Sequence, residues 1–181
     1  MLYSAKKIHF IGIGGIGMSG IAELLFNKDF FVTGSDISDS TNVQRLKGLG
    51  IKIFIGHDKK NISNSELVIY SDAIPKNNIE LKEAVNKNLL VYSRAKMISE
   101  IAKLNNSTIG IAGTHGKTTT TSMVGNILQS LNLDPTVIVG GVVKSLESNS
   151  LLGSGDTFVV EADEYNKSCL LYTSPSPRDS V

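Results

Sequence analysis

A lysine and two threonines follow a glycine-containing turn in the second half of the chain. The segment Gly113-Thr114-His115-Gly116-Lys117-Thr118-Thr119 lies between an apolar run and a helical pattern. Glycines let backbone N–H groups approach phosphate oxygens, and the start of a helix adds further N–H donors. Lys117 can place its ammonium group on the β- and γ-phosphates, and the Thr118 hydroxyl can bind Mg²⁺. The segment therefore predicts an ATP site in which Lys117 is the catalytic residue.

This phosphate loop departs from the strict pattern G-x-x-x-x-G-K-[ST], because Ile111 stands where the first glycine should be. The loop is the shorter G-T-H-G-K-T. A chance G-K-T at the start of a helix is the alternative interpretation, but the preceding strand and the following helix both argue against it. His115 could cover the nucleotide or only pack within the loop.

Three carboxylates end an apolar run further along the chain, at Glu161, Asp163 and Glu164. A carboxylate at the end of a strand, across from a phosphate loop, commonly holds Mg²⁺ or its waters. A solvated acidic turn is the alternative. With the phosphate loop upstream, Thr118 and Glu161 are the predicted metal ligands.

A second glycine loop lies near the N-terminus, where Gly12-Ile13-Gly14-Gly15-Ile16-Gly17 matches G-x-G-x-x-G. Asp36 ends the next predicted strand, about where an acidic residue would meet a ribose hydroxyl. The spacing favours a nicotinamide or flavin dinucleotide by default, yet any nucleotide diphosphate could use such a pyrophosphate cradle. A tight structural turn without a ligand is the alternative.

Other candidate residues follow the remaining predicted strands of the first half. Ser71, Asp72 and Ala73 could lie beside the same diphosphate, and His57 lies in a loop at the strand ends where ligands bind. A surface role is the alternative for His57. Arg94 could equally meet an anionic substrate or a helix terminus.

Strands alternate with helices in both halves, which predicts the α/β class with parallel sheets. We predict a Rossmann-like domain over residues 1–105 and the first part of a P-loop α/β domain over residues 106–168. Within the second domain, residues 140–141 and 145–155 are predicted as loops. Residues 169–181 show neither helical nor strand periodicity, and we expect an unstructured, non-native tail, a hypothesis that resequencing of the source DNA would test.

Composition restricts the class of protein further. The net charge of +1, from 18 basic and 17 acidic residues, gives no electrostatic footprint for nucleic acid or an acidic membrane. The apolar run over residues 8–26 is too rich in glycine for a membrane span or a signal peptide. A single cysteine fits a reducing compartment, so we expect a cytoplasmic protein without membrane insertion.

The two glycine loops, in this order, resemble those of the Mur ligases of peptidoglycan synthesis. The resemblance covers about residues 5–168 and is carried by five strings, namely His9–Gly20, Gly34–Asp36, Arg94–Met97, Gly113–Thr121 and Glu161–Glu164. The first string is similar to that of the family members that act on L-alanine.

The resemblance implies an ATP-dependent, amide-forming ligase that joins L-alanine to the carboxylate of UDP-N-acetylmuramate through an acyl phosphate. ATP and Mg²⁺ would serve it, with Thr118 and Glu161 as the metal ligands. The first domain would bind the UDP-sugar through the following residues: Gly12, Gly14, Gly15, Gly17, Met18, Ser19, Asp36, His57, Ser71 and Ala73.

Family members are more than twice as long as this chain and carry a further amino-acid-binding domain. We therefore expect an N-terminal fragment that is inactive alone. An NAD-dependent Rossmann oxidoreductase and a non-catalytic UDP-sugar-binding module are the alternatives. The G-K-T loop and the acidic strand argue against the oxidoreductase, because hydride transfer needs neither of them.

Overall fold

The computed structural model describes residues 5–143 and 148–161, apart from the side chains of residues 140–149. Asp163, Glu164 and the predicted tail at residues 169–181 lie outside the described residues. The chain divides into two compact units, the first ending at Met97 and the second beginning at Ile98. This division lies inside a helix, and the predicted boundary at residue 105 stays a prediction.

The first unit is a five-stranded sheet with helices between the strands. Its strands are β1 (Lys7–Ile11), β2 (Phe31–Asp36), β3 (Lys52–Ile55), β4 (Leu67–Tyr70) and β5 (Leu90–Ser93). Its helices are α1 (Ile16–Asn27), α2 (Thr41–Gly48), α3 (Ile79–Asn86) and the start of α4 (Arg94–Ala102), with one 3-10 turn at Lys59–Ile62. All strand pairs are parallel and the order is β3-β2-β1-β4-β5. The predicted α/β class is confirmed.

The central strand β1 is apolar because it is covered on both faces. Phe10 and Ile11 have no exposed surface, and Ile11 packs with Ile62, Val68 and Ala84 in one core cluster. Parallel strands buried on both faces are expected to be nearly continuous hydrophobic runs. This buried strand ends at Ile11, directly before the first glycine loop.

The second unit contains the strands β6 (Ser107–Ile111), β7 (Thr136–Val143), β8 (Ser148–Leu151) and β9 (Thr157–Glu161), with helix α5 (Lys117–Ser130). The order of the described strands is β6-β9-β7-β8, and among them β8 is antiparallel to its neighbour whereas the other pairs are parallel. Val137, Val139 and Val159 form its core cluster.

Two loop predictions in the second unit are wrong. Residues 140–141 continue β7, and β8 lies within the segment that was predicted as a loop. The Gly140-Gly141 pair falls where the pairing of β7 with β8 shifts register, between Ile138 and Val143. An irregular antiparallel pair tolerates glycines and polar residues that would weaken a central strand, so the composition misled the prediction.

Among the described residues, none of the helices combines the length and the apolar character that crossing a bilayer requires.

Candidate functional site

The first glycine loop is tied to the end of β2 by backbone hydrogen bonds. The N–H groups of Gly12 and Ile13 both donate to the carbonyl oxygen of Ser35, at 2.8 and 3.1 Å. The N–H of Gly15 donates to the Gly12 oxygen at 3.2 Å, and α1 then starts without a side-chain cap. These amides are used within the protein, so a diphosphate would be held by the first turn of α1 and by neighbouring side chains.

Gly14 lies close to the start of α2. A Cβ atom there would lie 2.7 Å from Val43 Cγ2 and 2.9 Å from Ser40 Oγ. The Gly14 N–H donates to Asp36 Oδ2 at 2.8 Å, and Asn42 Nδ2 donates to the Gly14 oxygen at 2.9 Å. The Asp36 carboxylate therefore holds the loop in place through the Gly14 N–H. This role was not predicted from the sequence, and the contact with a ribose stays a prediction.

A pocket of about 330 Å³ opens where β1, β2 and β4 end. In the strand order β3-β2-β1-β4-β5, β2 and β3 lie on one side of β1, and β4 and β5 lie on the other. Open α/β sheets bind ligands at the carboxyl ends of the strands where the order reverses in this way. Seven of the ten predicted UDP-sugar residues line it, namely Gly12, Gly14, Gly15, Asp36, His57, Ser71 and Ala73. The topology thus brings together residues that are far apart in sequence.

Three of the predicted residues do not line this pocket. Met18 and Ser19 are buried in the first turns of α1, and the Ser19 hydroxyl donates to the Ile16 oxygen at 3.1 Å. Helix periodicity turns their side chains into the core of the unit. Gly17 faces Arg94, whose Nη1 would lie 2.8 Å from a Cβ atom at that glycine. Arg94 therefore lies against the first turn of α1.

Sequence reasoning missed four residues that line the pocket: Ile37, Ser38, Ser40 and Ile74. Ser40 could have been found, because a serine directly before a helical pattern is a typical N-cap, and its Oγ accepts from the Val43 N–H at 3.4 Å. Ile37 and Ile74 give no such signal, since isolated apolar residues in loops are common on protein surfaces.

Behind the pocket lies a buried polar cluster around Glu80, which was also missed. Its carboxylate has no exposed surface and contacts His57, Ser35 and Asn61. His9, on β1, is buried beside it, with Nε2 3.9 Å from Glu80 Oε1. An acidic residue in the first turn of a helix is usually explained by the helix dipole alone, so no sequence signal singles out Glu80.

The phosphate loop of the second unit runs from the end of β6 to the start of α5. Gly116 is the N-cap residue with φ 77° and ψ 1°, a left-handed conformation that glycine adopts without strain. No side chain caps the helix, so none of its first N–H groups is taken by a capping side chain. This is the arrangement that binds phosphate at a helix N-terminus.

Lys117 is the first residue of α5, and its Nζ donates to the Gly113 oxygen at 2.5 Å. The ammonium group thus lies over the loop, where a phosphate would replace the carbonyl as its partner. Thr118 is half-buried at the following position. His115 is exposed and approaches the Thr114 hydroxyl at 3.3 Å.

Glu161 ends β9, which pairs with β6 so that Ile111 and Glu161 are register partners. The strand that leads into the phosphate loop and the strand that carries the carboxylate are therefore direct neighbours. The donor set fits Mg²⁺, a hard cation that binds few protein oxygens and completes its shell with phosphate and water. Among the described residues no cluster of three or more His, Cys, Asp or Glu side chains could hold a metal alone.

Comparison with known proteins identifies the family of this chain. The family model described as "Mur ligase family, catalytic domain" matches residues 7–106, which are 100 of the 181 residues. The chain belongs to the Mur ligase family.

Named relatives of this Mur ligase chain are similar over most of its length. It is 54% identical over 158 residues to a UDP-N-acetylmuramate--L-alanine ligase of Xanthobacter autotrophicus, covering 87% of this chain and 33% of that protein. An Agrobacterium fabrum protein of the same name is 54% identical over 157 residues, with the same two shares. The chain thus spans about a third of the length of the curated relatives it matches.

Solved structures of the family share the fold. The UDP-N-acetylmuramate-alanine ligase of Thermotoga maritima matches with a TM-score of 0.78 and 38% identity, over 87% of this chain and 37% of that one. A UDP-N-acetylmuramate:L-alanyl-gamma-D-glutamyl-meso-diaminopimelate ligase of Neisseria meningitides gives 0.80 and 30%, over 90% and 54%.

Burial of His9 in this Mur ligase chain has a consequence for stability. Loss of hydration lowers the His9 pKa from 6.5 to about 4, although the Glu80 charge acts in the opposite direction. Its Nδ1 lies 2.9 Å from the Thr33 hydroxyl, and its Nε2 has no hydrogen-bond partner among the described residues. The ring is therefore neutral in the folded chain at neutral pH.

We expect acid to destabilise the first unit through His9. Between its unfolded pKa of 6.5 and its folded pKa of about 4, the unfolded chain binds a proton that the folded chain does not. The free energy of unfolding should therefore fall by about 2 to 3 kcal/mol between about pH 7 and pH 4.5. Urea unfolding of His9→Gln should show a correspondingly flatter pH dependence. The exposed His115 offers the control variant His115→Gln, and equal slopes for His9→Gln and the parent chain would contradict the account.

Proposed function

We propose that this chain carries the nucleotide-sugar-binding and ATP-phosphate-binding parts of a ligase that joins L-alanine to UDP-N-acetylmuramate. One observation supports the proposal: a single chain holds two different glycine loops, each between the carboxyl end of a parallel strand and the start of a helix. The named relatives support the choice of substrates. The reducing cytoplasm would suit a chain with one cysteine.

The pocket of the first unit would bind the UDP part of the substrate. Ile37 and Ile74 supply apolar surface for a base, and Ser38, Ser40 and Ser71 supply hydroxyl groups. Few convergent polar groups on an apolar wall are typical of small-molecule sites. The diphosphate would lie at the first turn of α1, which begins at Ile16 directly after the N-cap residue Gly15.

The loop of the second unit would bind the phosphates of ATP. The first N–H groups of α5 and the Lys117 ammonium would meet the phosphate oxygens. Thr118 and Glu161 would hold Mg²⁺. The metal would neutralise charge on the transferred phosphoryl group.

The proposed reaction has two steps. The lactyl carboxylate of the sugar takes the γ-phosphoryl group of ATP, forming an acyl phosphate and ADP. The amine of L-alanine then attacks the acyl carbon, and phosphate leaves as the amide bond forms. Lys117 would assist the first step by stabilising negative charge on the transferred group and by fixing its position.

A nucleotide-sugar-binding module without catalysis is the second candidate, because the pocket of the first unit is formed entirely by residues of that unit. The oxidoreductase alternative leaves the Gly116-Lys117-Thr118 segment and the neighbouring Glu161 without a role. Hydride transfer requires neither a phosphate loop with a lysine nor a carboxylate beside it.

Calorimetric titration of the 181-residue chain with three ligands separates these functions. We expect one binding site for UDP-N-acetylmuramate, one for MgATP and none for NADH. Binding of UDP-N-acetylmuramate without MgATP would leave only the binding module. Binding of NADH without UDP-N-acetylmuramate would contradict both the ligase and the module.

A further inference from the structure

We propose that Glu80 is a positioning residue that orients the His57 imidazole toward a nucleotide sugar in the pocket of the first unit. The inference deepens the proposed function and rests on it for the identity of the ligand. Glu80 itself is fully buried and does not line the pocket, whereas His57 does. The carboxylate would therefore act on the ligand through the histidine.

Both carboxylate oxygens of Glu80 accept hydrogen bonds. Ser35 Oγ donates to Oε2 at 2.5 Å, and His57 Nδ1 lies 2.9 Å from the same oxygen. Asn61 Nδ2 donates to Oε1 at 2.6 Å, and the Asp58 N–H does so at 3.4 Å. These donors satisfy the hydrogen-bonding capacity of the buried carboxylate.

The position of Glu80 is itself fixed by the start of α3. The Asn78 side chain caps this helix by accepting from the N–H groups of Glu80 and Leu81, at 2.9 and 3.1 Å. Glu80 thus lies in the first helical turn, where the helix dipole favours a negative charge. Removing this carboxylate alone would leave its donors, among them the buried Ser35 hydroxyl, without their partner, which costs stability.

This arrangement determines which nitrogen of His57 faces a ligand. The contact between Nδ1 and Glu80 assigns the ring proton to Nδ1, because an ionised carboxylate only accepts hydrogen bonds. The Ser35 hydroxyl, 3.2 Å from the same nitrogen, donates to Glu80 and so does not compete for this role. Nε2 remains as the atom that can meet the nucleotide sugar, and the ring cannot turn without losing its carboxylate partner.

The neighbouring His9 does not compete with His57 for the Glu80 carboxylate. His9 Nε2 is 3.9 Å from Glu80 Oε1, and burial keeps that ring neutral. His9 is held from its other side by the Thr33 hydroxyl. Glu80 is thus shared mainly between His57, Ser35 and Asn61.

The test compares Glu80→Gln with Glu83→Gln in the 181-residue chain. Glu83 lies on the same helix, does not line the pocket and forms ion pairs with Lys59 and Lys87, at 3.9 and 3.6 Å. The amide of Glu80→Gln keeps the shape but can accept through one oxygen only, so His57 loses its fixed partner. We expect UDP-N-acetylmuramate to bind about tenfold more weakly to Glu80→Gln and with unchanged affinity to Glu83→Gln.

Two readouts separate positioning from a general loss of stability. Long-range ¹H–¹⁵N NMR spectra of the ligand-free parent chain should show His57 protonated at Nδ1, and Glu80→Gln should change this tautomer. In a His57→Gln background, Glu80→Gln should not weaken UDP-N-acetylmuramate binding further, because its effect passes through the imidazole. Thermal unfolding of each variant records any loss of folding independently.

Several results would overturn the inference. Protonation of His57 at Nε2 in the parent chain would contradict the inference, and this result needs no variant to fold. An unchanged His57 tautomer in folded Glu80→Gln would contradict it as well. So would a Glu80→Gln substitution that weakens UDP-N-acetylmuramate binding equally in the parent chain and in the His57→Gln background. Failure of the parent chain to bind UDP-N-acetylmuramate would instead overturn the proposed function, while the NMR result would still decide whether Glu80 orients His57.

Discussion

Lys117→Met should lower the affinity of the chain for MgATP by about 100-fold or more. The substitution keeps the length of the side chain but removes the charge that lies over the loop, 2.5 Å from the Gly113 oxygen. Charge-assisted hydrogen bonds to phosphate are about twice as strong as neutral ones, and this ammonium would meet more than one phosphate oxygen. Calorimetric titration with MgATP measures the loss.

Lys103→Met is the matched control for this variant. Lys103 belongs to the same unit but is exposed, and its ammonium pairs with Glu100 at 2.8 Å on the surface. Exposed pairs of this kind contribute little to stability. We expect unchanged MgATP binding in the control, and equal affinities of Lys117→Met and the parent chain would exclude the loop as the ATP site.

Gly14→Ala should weaken UDP-N-acetylmuramate binding by about tenfold or more. The added methyl group would lie 2.7 Å from Val43 Cγ2, 2.9 Å from Ser40 Oγ and 3.0 Å from Asp36 Oδ2, so loop and helix must move apart. Both Ser40 and Asp36 line the pocket, and the movement would therefore change its shape. Overpacking of this kind also costs about 1 to 3 kcal/mol of stability.

The control for this change is Gly48→Ala, at the end of α2. No atom lies within 4 Å of a Cβ atom built there, and its backbone is helical. Alanine should stabilise that turn by up to about 1 kcal/mol and leave binding unchanged. Titration and thermal unfolding of both variants check the prediction. A Gly14→Ala chain that folds and binds like the parent would show that the ligand does not depend on this loop.

The fold and both glycine loops could be predicted because their signals are local. A strand, a glycine turn and a helix follow one another within about twenty residues around Gly14 and around Gly116. The polar strand β8 could not be predicted in this way. Its residues Ser148–Leu151 have no alternating apolar pattern, and the strand forms through pairing with β7.

The roles of single residues were harder to predict than their positions. Asp36 was correctly placed at the end of β2, but its contact with the Gly14 N–H depends on how tightly the loop packs. Glu80 was missed because its partners His57 and Ser35 lie more than twenty residues away in sequence, at 23 and 45 positions. These groups come together only in the folded chain, so no sequence motif of short spacing indicates the cluster.

The central claim is that each glycine loop binds its own nucleotide, and an NMR titration tests it most directly. Backbone amide spectra of the ¹⁵N-labelled chain would be followed during addition of UDP-N-acetylmuramate and, separately, of MgATP. We predict that the sugar nucleotide shifts the signals of residues 12–17, 57 and 71–73, and that MgATP shifts those of residues 113–119. Shifts of residues 12–17 with NADH but not with UDP-N-acetylmuramate, or no response of residues 113–119 to MgATP, would contradict the account.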